Sequence, residues 1–103
     1  SGISVGLRDD IYDAVHAGMR EGVLSGSTVA LKNDTVHIAA KSGTAQIKNN
    51  TRVNSWAIGF FPVENPKFAF TVLMEDGPKV SSGAVHAFKP VIEVFASNPE
   101  LLQ

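Results

Sequence analysis

Four residues with complementary chemistry follow one another at Lys41-Ser42-Gly43-Thr44, inside the string Ala40-Lys41-Ser42-Gly43-Thr44-Ala45-Gln46. The lysine supplies a cation that attracts a carboxylate. The two hydroxyl residues supply donors. Alternation along a strand places Lys41 and Gly43 on one face and Ser42 and Thr44 on the other. Gly43 removes a side chain and lets another backbone approach closely. On the edge of a sheet, Thr44 offers its hydroxyl and a free backbone N–H. These parts suit the binding of an acyl substrate that carries a carboxylate, with polarisation of its carbonyl. Such a string, taken alone, also ends ordinary strands, so its surroundings decide its meaning.

The elements that must position it follow from hydrophobic spacing. From Asp9 to Leu24, Ile11, Ala14, Val15, Gly18, Met19 and Val23 fall on one helical face. Asp9 and Asp10 lie where the helix dipole favours carboxylates. Ser25-Gly26-Ser27 ends the helix, with Gly26 suited to a left-handed cap. Gly18 costs about 1 kcal/mol of helix propensity, which close approach to a neighbouring element would explain. Val36 to Gln46 alternates as a first strand, entered through Lys32-Asn33-Asp34. Ile47 to Asn54 is polar and is expected to be a hairpin loop. Ser55 to Phe61 is a second strand, with Trp56, Ile58 and Phe60 on one face. Pro62 and Glu64-Asn65-Pro66 end it. Phe68 to Glu75 is a third strand, apolar on both faces and therefore expected to lie inside a sheet. Asp76 to Gly83 is a turn region in which Ser81 or Ser82 could cap a last helix. That helix presents Val85, Phe88, Val91, Ile92 and Phe95 on one face and is expected to kink near His86, one turn before Pro90.

The fold class is therefore α+β: a three-stranded antiparallel meander flanked by an N-terminal and a C-terminal helix. The third strand would be last in its sheet with an unpaired edge, which proteins avoid. Further strands from elsewhere are expected to cover it.

Composition removes several function classes. The chain of 103 residues carries nine basic and ten acidic residues, with no basic stripe of the kind that binds nucleic acid. It has no cysteine, which excludes a disulfide scaffold and a thiolate metal site. No apolar run reaches the roughly 20 residues that span a bilayer, and no signal peptide is visible. The chain opens on Ser1, which suggests a fragment or a processed product.

Other chemistry-bearing residues are weaker candidates. His16, His37 and His86 lack metal-ligand spacing. Glu75 and Asp76 are adjacent and would point apart in a strand. Trp56 is expected in the core or at the rim of a cleft. Asn33-Asp34-Thr35 and Asn49-Asn50-Thr51 match the glycosylation pattern, as chance matches do.

Lys41-Ser42-Gly43-Thr44-Ala45-Gln46 resembles the third active-site motif, Lys-Thr/Ser-Gly, of the penicillin-binding proteins and serine β-lactamases. The flanks agree. Gly18-Met19, Val23 and Gly26-Ser27-Thr28 resemble the segment before that motif. Ser55-Trp56-Ala57-Ile58-Gly59-Phe60-Phe61-Pro62 resembles the strand after it, and Asn65-Pro66-Lys67 resembles the following turn. The resemblance runs from Asp9 to Phe95 and is strongest to the class B transpeptidases, in particular the penicillin-binding protein 2 group that serves elongation and cell shape.

The resemblance implies that residues 1–103 are the C-terminal portion of a transpeptidase domain, incomplete without upstream sequence. It implies a peptidoglycan D,D-transpeptidase that cross-links stem peptides through a serine acyl-enzyme and is trapped by β-lactams. No cofactor is implied. Lys41 would attract the substrate carboxylate and organise proton transfer. Ser42 and Thr44 would hydrogen-bond that carboxylate, and the Thr44 N–H would form half of an oxyanion hole, with Gly43 part of the binding strand. The implied partners are the stem peptide, β-lactams, the upstream half of the domain and the cell-wall synthesis machinery. The implied location is the periplasmic face of the bacterial inner membrane, held by an anchor outside this sequence.

The chain also departs from the family pattern. No lysine has a serine three positions before it, and no asparagine has a serine two positions before it. The Ser-x-x-Lys nucleophile motif and the Ser-x-Asn motif are therefore missing from these residues, and the isolated chain is expected to be inactive. Two other readings explain the same residues. One is a piece of a β-lactam sensor or serine β-lactamase. The other is a stand-alone interaction module.

Overall fold

The computed structural model describes residues 2, 6–78 and 83–103. Its element order is α1 (Asp9–Ser25), a 3-10 turn (Val29–Leu31), β1 (Ala39–Ile47), β2 (Arg52–Phe61), β3 (Phe68–Pro78), α2 (Gly83–Ser97) and a closing 3-10 turn (Pro99–Leu102). The strands form one antiparallel sheet in the order β1-β2-β3, with helices on both sides. This is the α+β meander expected from the hydrophobic pattern.

The hairpin between β1 and β2 is tighter than the polar stretch suggested. Ile47 pairs with Arg52, so the loop is only 48–51. Lys48, Asn49 and Asn50 all take left-handed backbone angles, with φ of 51°, 55° and 64°. Asparagine tolerates that region better than most residues. Thr51 closes the turn by donating its hydroxyl to the Lys48 carbonyl at 2.6 Å. Once this turn is set, every cross-strand pair along β1 and β2 is set too.

One sheet face carries the core. Val53, Ser55, Ala57 and Phe61 of β2 point to it and are buried. They pack beneath Ala84, Val85, Phe88 and Ile92 of α2, with Leu31, Val36 and Ile38 closing one side. Phe70 stacks on Phe88 with centroids 3.8 Å apart, and Phe61 meets Phe95 edge-on at 5.0 Å. α2 runs on through Pro90. Val91, expected on the buried face, is exposed instead. Ser81 and Ser82, the expected caps, lie outside the described residues. Ser55 of β2 supplies a cap from across the sheet: its buried hydroxyl accepts the Ala84 N–H at 3.1 Å.

α1 departs from its sequence pattern. Of the six residues expected on its apolar face, only Val23 is buried, while Ile11 and Val15 are 43% and 52% exposed. The reason is placement: the C-terminal half of the helix meets β1 and the segment before it, and the N-terminal half projects over the outer sheet face. Arg20 ties the contacting half down by donating to the Ile38 carbonyl at 2.8 Å. Gly18 is not the point of close approach, because a Cβ there would meet nothing within 4 Å. That role belongs to Gly22, one turn later, where a Cβ would lie 3.1 Å from Thr28 Oγ1 and 3.3 Å from the Ala40 carbonyl. Gly26 has φ of −112°, so the expected left-handed cap is not formed. Instead the Gly26 and Thr28 N–H groups both donate to the Gly22 carbonyl.

β3 ends the three-stranded meander, as expected. It is a terminal strand of the sheet among the described residues, and Phe68 and Leu73 are exposed. Its apolar character on both faces is real. One face lies under α2 and the other faces outward beside Trp56 and Ile58 of β2.

Candidate functional site

Lys41, Ser42, Gly43 and Thr44 are consecutive on β1, which is the other terminal strand of the sheet. One side of β1 pairs with β2, and the other side has no strand neighbour among the described residues. Alternate N–H and C=O groups of such a strand point away from its partner and are available to an extended ligand. The register pairs Lys41 with Ile58, Ser42 with Ala57, Gly43 with Trp56 and Thr44 with Ser55. Lys41 and Gly43 therefore share the outer face with Trp56 and Ile58. Ser42 and Thr44 share the face of Ala57 and Ser55. The alternation expected from the sequence is the one observed.

The cation is locally held. Lys41 Nζ donates to the Ser42 carbonyl at 2.8 Å, which keeps the ammonium on the motif while leaving the side chain exposed. Ser42 is half-buried and its hydroxyl lies 3.1 Å from that of Ser27, in the bend after α1. Thr44 is exposed. Thus the string offers one ammonium and two hydroxyls within four residues along a strand edge that has no strand neighbour among the described residues.

Gly43 has a different cause from the one its type suggested. The nearest neighbour of its open side is the Trp56 indole rather than backbone. A Cβ at position 43 would lie 2.4 Å from Trp56 Nε1 and Cε2. The indole therefore lies flat across the glycine and fills the space a side chain would need. Trp56 is 39% exposed, so it is not the core residue its type suggested but a partly open aromatic surface on the face of Lys41.

The remaining sequence candidates are dispersed. His16 lies between Tyr12 and Phe60, with ring centroids 4.0 and 4.5 Å away. His37 bonds to the Glu64 carboxylate and to the Asp34 carbonyl, joining the segment before β1 to the turn after β2. That bond to His37 is the main reason the Glu64 carboxyl is held below its ordinary value. Asp76 is held low by Lys48 first and Arg52 second, and sits with φ of 52° beside a register shift between Val53 and Ser55. It clasps the hairpin tip to β3, as the Arg52 Nε bond to its carboxylate at 3.1 Å shows. No group of three His, Asp or Glu side chains suited to a metal is gathered among the described residues.

An apolar cavity of about 420 Å³ lies between the first half of α1 and the outer sheet face, bounded by Leu7, Tyr12, Val15, Ile58, Phe60 and Thr71. None of the four motif residues lines it. No helix among the described residues is long and apolar enough to cross a membrane.

Two neighbours of the motif escape a reading by residue type. Trp56 over Gly43 follows from the hairpin register, which becomes readable only once the loop is known to be 48–51. Ser27 beside Ser42 has only a weak signal, a hydroxyl residue directly after a helix end.

Comparison with known proteins places this architecture. Residues 6–93 match the model of the penicillin binding protein transpeptidase domain. The peptidoglycan D,D-transpeptidase PbpA of Mycolicibacterium smegmatis is 33% identical over 78 residues, which cover 73% of this chain and 14% of that protein. The D,D-transpeptidase domain of a peptidoglycan glycosyltransferase from Eggerthella lenta has the same fold over 84% of this chain and 20% of its own, with a TM-score of 0.70 at 24% identity. PBPA from Mycobacterium tuberculosis aligns over 82% of this chain and 22% of its own, with a TM-score of 0.51 at 28% identity. The chain thus spans about a seventh of the curated relative and about a fifth of the solved chains. With its family model matched over residues 6–93, this chain belongs to the penicillin-binding protein transpeptidase domain family.

Proposed function

We propose that this chain supplies one wall of the acyl-transfer site of a class B, serine-type D,D-transpeptidase that cross-links peptidoglycan stem peptides. The observation that carries this reading is Lys41-Ser42-Gly43-Thr44 on the open edge of β1, in a chain of the transpeptidase family. The donor peptide lies along that edge. Its terminal carboxylate meets the Lys41 ammonium and the Ser42 and Thr44 hydroxyls. The Thr44 N–H serves as one oxyanion donor, whose loss costs on the order of 3 kcal/mol in the transition state. A serine nucleophile attacks the D-Ala-D-Ala amide, expels D-alanine and leaves an acyl-enzyme. The amine of a second stem peptide then attacks the ester and regenerates the serine. β-Lactams present the same carboxylate and carbonyl and stop at the acyl-enzyme.

The Ser-x-x-Lys and Ser-x-Asn groups belong to other sequence of the same domain. That sequence also covers the outer edge of β3 and the apolar face of Trp56, Ile58 and Leu73. The site works at the outer face of the bacterial cytoplasmic membrane, with the cell-wall synthesis machinery as its setting. A fluorescent penicillin tests the reading. The complete protein that carries this segment takes up one label per molecule, and hydrolyses the drug far more slowly than it acylates. Absence of label in the complete protein would refute the transpeptidase reading, and rapid drug turnover would assign a β-lactamase instead. The isolated 103 residues take up no label; stoichiometric acylation of them would overturn the motif assignment.

A further inference from the structure

Ser27 stands where it can control the proton of Ser42. Its hydroxyl is 3.1 Å from Ser42 Oγ, across 15 residues of sequence. The bend that carries it is fixed on both sides. The Gly26 N–H donates to the Gly22 carbonyl at 2.9 Å, and the Thr28 N–H donates to the same carbonyl at 3.2 Å. The Thr28 side chain, next in sequence, is fully buried. On the other partner, the Ser42 carbonyl already accepts the Lys41 ammonium.

A serine hydroxyl has one proton and two lone pairs. Two serine hydroxyls in contact can be ordered in either direction. If Ser42 donates to Ser27, its proton is engaged and a lone pair faces outward. If Ser42 accepts from Ser27, its own proton faces outward. A carboxylate is an acceptor only, so it selects the second order. In that order each hydrogen bond polarises the next, and the pair binds an anion better than Ser42 alone.

We propose that Ser27 is a positioning residue of the acyl-transfer site, whose hydroxyl donates to Ser42 Oγ and turns the Ser42 proton toward the substrate carboxylate. This rests on the transpeptidase reading above. Ser27 itself touches no reacting atom; it acts through Ser42.

The test uses the complete transpeptidase that carries this segment. Acylation rate constants are measured with benzylpenicillin and with its methyl ester, which lacks the anionic carboxylate. Ser27→Ala lowers the rate with the free acid about five-fold, the size of one ordinary hydrogen bond. It leaves the ester rate within two-fold, so the preference for the acid shrinks. Ser27→Thr retains that preference, and Ser27→Val, equal in shape, loses it, which keeps the comparison available if the alanine variant melts early. In a Ser42→Ala background, Ser27→Ala has no further effect. Equal losses with acid and ester, an unchanged preference, or a full effect without the Ser42 hydroxyl would each overturn the proposal. A wild-type protein that no penicillin acylates is a different result: it overturns the transpeptidase reading and this inference with it.

Discussion

Gly43→Ala probes the site at the point where packing and chemistry meet. The added methyl carbon would lie 2.4 Å from two atoms of the Trp56 indole and 2.7 Å from a third, where ordinary contact begins near 3.4 Å. The ring must therefore withdraw by about 1 Å, the difference between those distances. Overpacking of this kind costs about 1–3 kcal/mol. The indole is partly exposed, so it can swing outward, which favours the lower half of that range and moves the aromatic surface beside Lys41. The expected result is a melting temperature lower by a few degrees, at roughly 2–4 °C per kcal/mol for a domain of 150–250 residues, with slower penicillin acylation. Trp56→Ala removes the obstruction, so the double variant Gly43→Ala/Trp56→Ala melts higher than the sum of the single losses predicts. The assays are thermal denaturation and acylation kinetics on the complete transpeptidase. Additive losses in that cycle, or a Gly43→Ala protein with unchanged melting and acylation, would refute the packing of the indole on Gly43.

Four further outcomes are expected. Gly18→Ala raises stability by about 1 kcal/mol in thermal denaturation, because its Cβ meets nothing within 4 Å and alanine is the better helix former; Gly22→Ala gains less or loses, since its Cβ would press on Thr28 and the Ala40 carbonyl. Phe88→Ala lowers unfolding free energy by about 3–5 kcal/mol in a denaturant titration, because the ring is buried and stacked on Phe70. Thr28→Val raises the melting temperature, since the Thr28 hydroxyl is buried and finds no partner among the described residues, and an equal-shaped methyl removes that cost of about 1 kcal/mol. The Glu64 carboxyl, held low by His37, contributes stability above its ordinary value of 4.5 and loses it as pH falls through the lower folded value; the gap in melting temperature between wild type and Glu64→Gln therefore closes as pH falls below that ordinary value.

The meander was legible because period-two alternation and the Pro62 and Glu64-Asn65-Pro66 breaks are local signals. The motif was legible for the same reason: Lys41 to Thr44 are contiguous, so their alternation on one strand needs no knowledge of the rest of the chain. The apolar face of α1 misled because periodicity reports which side of a helix is apolar, not how much of its length meets a partner. The C-terminal half packs closely here, with Val23 and Gly22 at the contact, whereas in the first half His16 meets Phe60 and Ile11 and Val15 are left exposed.

Sequence alone thus determined the family, the α+β class and the position of the Lys41 to Thr44 string that we propose binds a carboxylate, because each rests on local patterns in the chain. Tertiary structure decided what surrounds that string. A four-residue turn with three left-handed residues sets a register, and that register lays Trp56 across Gly43. A bend after α1 brings Ser27 to Ser42 across 15 residues. Neither contact follows from residue type, because each is fixed by backbone geometry between segments distant in sequence.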